Sequence, residues 1–234
     1  MLTIRKSSER GDVNMGWLHS KHSFSFGHYH DPRHMGFRSL RVINEDRVAP
    51  GGGFPEHPHH DMEIISYVLS GTLAHQDSLG NVYPIRPGDV QRMSAGEGIE
   101  HSEFNHSKTE PVHFLQIWIR PDRKGAKADY DQKHYPRESR LNTLRLVASP
   151  TGNDGSISIN QDASVFASLL EKGKTLQHTL ASGRHAWIQL ATGSISVNGQ
   201  TLGAGDAIAV SEEAAISVVG LSQDAAEFLL FDLN

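Results

Sequence analysis

One pattern occurs twice along this chain and limits its fold more than any other feature. Leu69-Ser70-Gly71-Thr72-Leu73 is followed by Arg86-Pro87-Gly88-Asp89-Val90, and Ala191-Thr192-Gly193-Ser194-Ile195 is followed by Gly203-Ala204-Gly205-Asp206-Ala207. Each copy reads as a strand, a glycine turn, a strand, a second turn ending in Gly-Asp, and another strand. Such self-similarity marks a duplicated unit, and 234 residues suffice for two modules of roughly 100 residues each. The apolar runs agree. FRSLRVI (37 to 43), MEIISYVL (62 to 69), TLAHQD (72 to 77), VHFLQIWI (112 to 119), HAWIQLA (185 to 191) and EFLLFDL (227 to 233) are short, rich in β-branched and aromatic residues, and bounded by Gly, Pro, Asn and Asp. The expected class is all-β with a few short helices. The best helix candidate is DASVFASLLEKG (162 to 173), with Asp162 as N-cap and Gly173 as C-cap. The expected boundaries are an N-terminal barrel over 1–120, a polar linker over 121–140 and a C-terminal barrel over 141–234.

Composition removes several function classes. The 22 Lys plus Arg against 27 Asp plus Glu leave a net charge of −5, and no basic stripe is present, so neither nucleic acid nor an anionic membrane is an expected partner. There is no cysteine, which excludes thiolate metal sites and Cys nucleophiles. MLTIRKSSERGDV lacks an apolar signal core, and no apolar run of membrane-spanning length follows, so a cytoplasmic location is expected.

Histidine is the unusual residue. Of 15, all but His178 and His185 lie at or before His134, so imidazole chemistry belongs to the first half. The stretch EHPHHDME (56 to 63) offers six candidate metal ligands, and strand geometry reduces them. Residues i and i+2 share a face, so His57 and His59 project together, away from Pro58 and His60. Downstream, His101 and Glu103 in GEGIEHSEFN (96 to 105) have the same spacing. Two such pairs on facing strands give three imidazoles and a carboxylate around one centre, with positions left for water or substrate.

These residues carry a family resemblance. Gly51 to Gly71, with His57, His59 and Glu63, resembles the first cupin motif, and Gly88 to Asn105, with Gly96 and His101, resembles the second. FPEHPHHDMEIISYVLSG, MSAGEGIEHSEFN and the upstream FSFGHYHDP together resemble pirin, a two-cupin family that includes bacterial quercetin 2,3-dioxygenases. The resemblance implies two cupin barrels of the double-stranded β-helix, or jelly-roll, type in one chain. It implies one divalent transition metal held by His57, His59, His101 and Glu103, where the general cupin pattern would instead take Glu63, six residues after His57, as the carboxylate; iron is expected, and nickel, copper, cobalt, manganese or zinc are also compatible with these donors. It also implies cleavage of a flavonol such as quercetin by dioxygen, with ring opening and release of carbon monoxide. Glu103 and Glu63 are the candidate bases for the substrate hydroxyl, and Glu63 is otherwise a hydrogen-bond partner for a ligating histidine. The alternative implied by the same family is a metal-dependent redox sensor or regulatory binding protein with incidental dioxygenase activity. A monomer is expected.

Carrying the repeat into the second half puts Thr179, Ala181, Val218 and Gly220 where the four ligands stand in the first, so the second barrel is expected to be structural. His28, His30 and His34 in GHYHDPRHMG (27 to 36) read as a loop at the barrel mouth. His60, His75, His106 and His113 read as surface or structural histidines. Trp118, Phe114 and Met93 read as core residues, with pocket lining as the alternative.

Overall fold

The computed structural model describes residues 1–234. It divides into two compact units: Gly11–His134 with Ile159–Gln161, and Met1–Arg10 with Tyr135–Ser158 and Asp162–Asn234. The chain opens with β1 (Leu2–Arg5), which belongs to the second of these. The first unit contains β2 (Gly11–Asn14), β3 (Leu18–His22), β4 (Leu40–Val48), β5 (Gly53–His59), β6 (Glu63–Ser70), β7 (Leu73–Asp77), β8 (Val82–Ile85), β9 (Asp89–Ser94), β10 (Ile99–Asn105), β11 (Val112–Ile119) and β12 (Asp129–His134). One of its sheets runs β12-β9-β6-β11-β4-β3-β2 and the other β5-β10-β7-β8. The second unit adds α1 (Arg137–Arg140), β13 (Arg145–Ser149), β14 (Ile157–Ser158), β15 (Ala163–Leu170), β16 (Thr175–Thr179), β17 (His185–Thr192), β18 (Ser194–Val197), β19 (Gln200–Gly203), β20 (Ala207–Val210), β21 (Ala215–Gly220) and β22 (Ala226–Leu233). Its sheets run β1-β20-β17-β22-β15-β13-β14 and β16-β21-β18-β19. Each unit is a two-sheet jelly-roll barrel, and no helix is long and apolar enough to cross a membrane.

The repeated turns have a chemical reason. In both Gly-Asp turns the aspartate accepts a backbone N–H three residues back: Arg86 N–H donates to Asp89 at 2.8 Å and Gly203 N–H to Asp206 at 3.1 Å. The preceding glycines, Gly88 at φ 95° and Gly205 at φ 80°, occupy the left-handed region that side chains disfavour.

The interiors of the two barrels differ. In the second unit one continuous apolar core includes Ile188, Leu190, Ile195, Val197, Ile216, Val218, Phe228 and Leu230. In the first unit one apolar cluster surrounds Val48, Val68, Leu73 and Phe114 and another surrounds Ile64, Met93 and Ile99. The buried polar residues of the same unit include Asn44, Asp46, Ser66, His75, His101, Glu103 and Gln116. Polar groups are costly inside a barrel unless they are paired or used.

Three expectations change. Residues 162 to 173 form β15 and its following turn, not a helix. β15 is paired on both edges, by β13 and β22, and its burial alternates at first (Ala163 in, Ser164 half out, Val165 in) with the period of a strand. Residues 121–134 are not a linker, since β12 pairs along β9 from Asp129↔Ser94 to His134↔Asp89. The first ten residues belong with the C-terminal barrel, where β1 pairs with β20.

The second barrel also carries an acid-sensitive contact. Asp232 in β22 accepts from His178 Nε2 at 2.7 Å and from Arg184. Burial alone raises this carboxyl, but the bonds from His178 and Arg184 outweigh it and hold the pKa below the ordinary value. A lowered folded-state pKa gives stability that is complete above the unfolded value near about 4 and is lost as pH falls through the lowered value. Asp232→Asn is therefore expected to cost about 2 kcal/mol at neutral pH and to reduce the acid dependence of stability below about pH 4. Denaturant titrations at pH 7 and pH 3 check both effects.

Candidate metal centre

The alternation along β5 and β10 sets up the site. In β5, Glu56 and Pro58 are exposed while His57 and His59 are half-buried. In β10, Ile99, His101, Glu103 and Asn105 point inward while Glu100 and Phe104 are exposed. The two strands are hydrogen-bonded neighbours in one sheet rather than facing strands, with His57 directly opposite His101. A bulge between His101 and Glu103 sets Glu103 opposite Phe54.

The three imidazoles converge. His57, His59 and His101 offer nitrogens within 4.8 Å of one another, and the Nε2 atoms of His59 and His101 are 3.0 Å apart. His57 Nδ1–H donates to Pro55 O at 2.7 Å, leaving the Nε2 lone pair free for the centre. Burial first, and then the neighbouring imidazoles, push His59 and His101 down to about 3, so both rings are neutral at pH 7. Neutral imidazoles with converging lone pairs are the form in which histidine binds metal. A separation of about 3 Å is also what adjacent ligands with bonds of about 2.1 Å span at a right angle. The donor set fits a divalent ion.

Glu103 lies beside this cluster. It lines the same cavity, together with Phe26, Asn44, Asp46, Phe54, Gln116 and Trp118. Its carboxylate accepts from Ser66 Oγ at 2.9 Å and Gln116 Nε2 at 2.6 Å, and burial pushes its pKa up. His75, opposite Glu103 on β7, has a buried ring 5.3 Å from that of His101 and forms a second close group with His101 and Glu103. Its Nε2–H donates to Asp77 at 2.9 Å.

Glu63 is elsewhere. Asp61, at φ 47°, turns the chain out of the sheet of β5 before β6 begins in the other sheet. Within β6, Glu63 and Ser66 are three residues apart and face opposite sides, and Ser66 is the one that contacts Glu103. Glu63 accepts instead from Ser94 Oγ at 2.7 Å and Asn160 Nδ2 at 3.0 Å. It bonds none of the three clustered histidines and does not line their cavity. Glu63→Gln is expected to leave metal content within about twofold of wild type, whereas Glu103→Gln lowers metal affinity about tenfold or more. Metal titration of the two variants separates them.

Residues 3–119 match the family model described as Pirin. The chain is 45% identical over 233 residues, covering 100% of itself and 99% of the relative, to a protein of Escherichia coli (strain K12) named quercetin 2,3-dioxygenase. The chain belongs to the pirin family. Residues 146–233 match the quercetinase C-terminal cupin domain, and a pirin-like protein of Caulobacter vibrioides is 40% identical over 99% of both chains. The structure of the bacterial pirin YhhW from Escherichia coli in complex with nickel(II) superposes with a TM-score of 0.94 at 45% identity, covering 100% of this chain and 99% of that one.

The pirin repeat also explains the second barrel, with a corrected register. Leu73 pairs with Asn105 as Ile195 pairs with Gly220, so Ile216 and Val218 stand where His101 and Glu103 do. His178 and Leu180 replace His57 and His59, in place of Thr179 and Ala181. Ile216, Val218 and Leu180 fill the core, and His178 is bonded to Asp232, so no donor set remains.

Several site residues escaped the sequence. Asn44 and Asp46 share the inward face of β4 with Val42 and Val48, and two polar residues on an apolar strand face were the available signal. Trp118 is a wall of the cavity, its ring 4.9 Å from His59, whereas Phe114 and Met93 are core. His75 is buried against the cluster, while His60 and His106 are exposed and His113 bonds Glu45 at 2.9 Å. His28 and His30 are exposed, and His28 borders a neighbouring cavity.

Proposed function

We propose that this protein is a metal-dependent dioxygenase that opens a flavonol such as quercetin, with His57, His59, His101 and Glu103 as the metal ligands. The observation that carries the proposal is the convergence of three imidazoles beside a buried carboxylate in one cavity. A divalent ion held by that set keeps about one net positive charge, which suits a bidentate anionic oxygen ligand such as a flavonol deprotonated at its 3-hydroxyl beside the 4-carbonyl. Glu103 takes the hydroxyl proton, and Ser66 and Gln116 hold its carboxylate in position. Trp118, Phe26 and Phe54 exclude water from the reacting edge. Dioxygen contributes its atoms to the opened product, and one ring carbon leaves as carbon monoxide. The names carried by the relatives support the substrate class, and imidazole and carboxylate donors accept iron and nickel alike.

The test is quercetin consumption under air and under nitrogen, with carbon monoxide measured, in protein loaded to graded metal content. Oxygen-dependent loss that rises with bound metal is expected. Full metal occupancy without consumption would overturn the dioxygenase reading in favour of the regulatory one.

A further inference from the structure

The cavity at the metal cluster is too small for an aromatic ring. Its volume is about 60 Å³, whereas a cavity that binds benzene measures about 150 Å³. It can receive the chelating edge of a ligand, and the rest of that ligand must go elsewhere. A second cavity of about 230 Å³ shares Phe26, Asn44, Asp46 and Phe54 with the first. Its other walls include Val13, Met15, Trp17 and Leu18, which present an apolar surface of the right volume for one ring.

Two residues that line this second chamber carry buried polar atoms with no protein partner. Ser20 Oγ and Asn44 Oδ1 are buried and unpaired, in residues that are 1% and 3% exposed. β3 pairs with β4 so that Ser20 lies opposite Asp46 and His22 opposite Asn44, which makes Ser20 and Asn44 diagonal neighbours on one face. An unpaired buried acceptor is costly until something donates to it. The Asn44 carbonyl oxygen can only accept, so it requires a donor such as a phenolic hydroxyl.

We propose that the chamber beyond Phe26 and Phe54 is the subsite for a hydroxylated aromatic ring of the ligand, with Asn44 Oδ1 accepting from one ring hydroxyl and Ser20 Oγ meeting another. The proposal rests on the flavonol reading of the metal site and adds what selects among flavonols. A ring without hydroxyls leaves Asn44 Oδ1 unmet, and sites of this kind discriminate against the analogue that lacks the donor.

The experiment measures binding rather than turnover. Quercetin and 3-hydroxyflavone, which has the same chelating pair and no other hydroxyl, are titrated anaerobically into nickel-loaded protein, followed by quenching of tryptophan fluorescence. Wild type is expected to prefer quercetin by about tenfold or more. Asn44→Leu and Ser20→Ala each narrow that preference with metal content unchanged. Met15→Trp, at a residue 52% exposed on the chamber wall, weakens both ligands and does not depend on the folding of a buried variant. Equal binding of the two ligands by wild type, an undiminished preference in Asn44→Leu and Ser20→Ala, or unchanged affinities in Met15→Trp would overturn the subsite. Absent turnover with these binding effects intact would count against the dioxygenase reading alone.

Discussion

His101→Ala is expected to lower metal affinity by about 100-fold or more, which is beyond the loss typical of residues that only support a ligand. His101 is common to both close groups of donors, one with His57 and His59 and one with His75 and Glu103. Its ring lies 4.5 Å from that of His57 and 4.9 Å from that of His59, so no neighbour can replace it without moving a strand. The metal-free protein should behave differently. His101 Nδ1 is buried without a partner, and removing it relieves a cost of about 1–3 kcal/mol that offsets much of the lost packing. The apo variant should therefore unfold within about 1 kcal/mol of apo wild type, while the stabilisation that metal adds to wild type disappears. His28→Ala and His30→Ala, on the exposed loop, should change neither quantity. Thermal melts with and without nickel, beside metal titrations, check these outcomes. Retained metal stabilisation in His101→Ala would place the ion elsewhere.

The second large effect is expected from a residue with no functional group. A side chain at Gly53 would put its Cβ 2.4 Å from Glu103 O and 2.6 Å from Phe104 Cα. Gly53 pairs with Phe104 where β5 runs beside β10, so the clash is with backbone and cannot be relieved by rotating a side chain. Gly53→Val must push the two strands apart. The expected cost is about 3 kcal/mol or more, together with at least a tenfold loss of metal affinity, because β5 carries His57 and His59 while β10 carries His101 and Glu103. Gly125→Ala is the comparison. Its Cβ meets nothing within 4 Å, and its φ of 63° limits the expected cost to about 1 kcal/mol with metal affinity unchanged. Metal affinity equal to wild type in folded Gly53→Val would show that the spacing of these strands does not hold the centre together.

Much of this architecture was legible because it depends on short-range chemistry. The Gly-Asp turns announce themselves, since the aspartate bonds within its own turn. The i, i+2 spacing of His57 with His59 and of His101 with Glu103 needs only the period of a strand. What was hidden depends on pairing across the chain. Residues 162 to 173 carry helix-like ends, and a short apolar run does not distinguish a strand from a helix until β13 and β22 are seen on its two edges. Glu63 looked close to His57 because sequence distance cannot show that Asp61 redirects the chain into another sheet. His75 reads as a single histidine because its place opposite Glu103 is a matter of register, as is the one- or two-residue shift that puts His178, Leu180, Ile216 and Val218 in the second barrel where His57, His59, His101 and Glu103 stand in the first.

The central claim is that one ion is held by His57, His59, His101 and Glu103. Anomalous diffraction from nickel-loaded crystals of this protein tests it most directly. The account predicts a single strong peak among the Nε2 atoms of His57, His59 and His101, in contact with the Glu103 carboxylate. A peak at Glu63 or at His28 and His30, or a peak at His75 without His57 and His59, would contradict it.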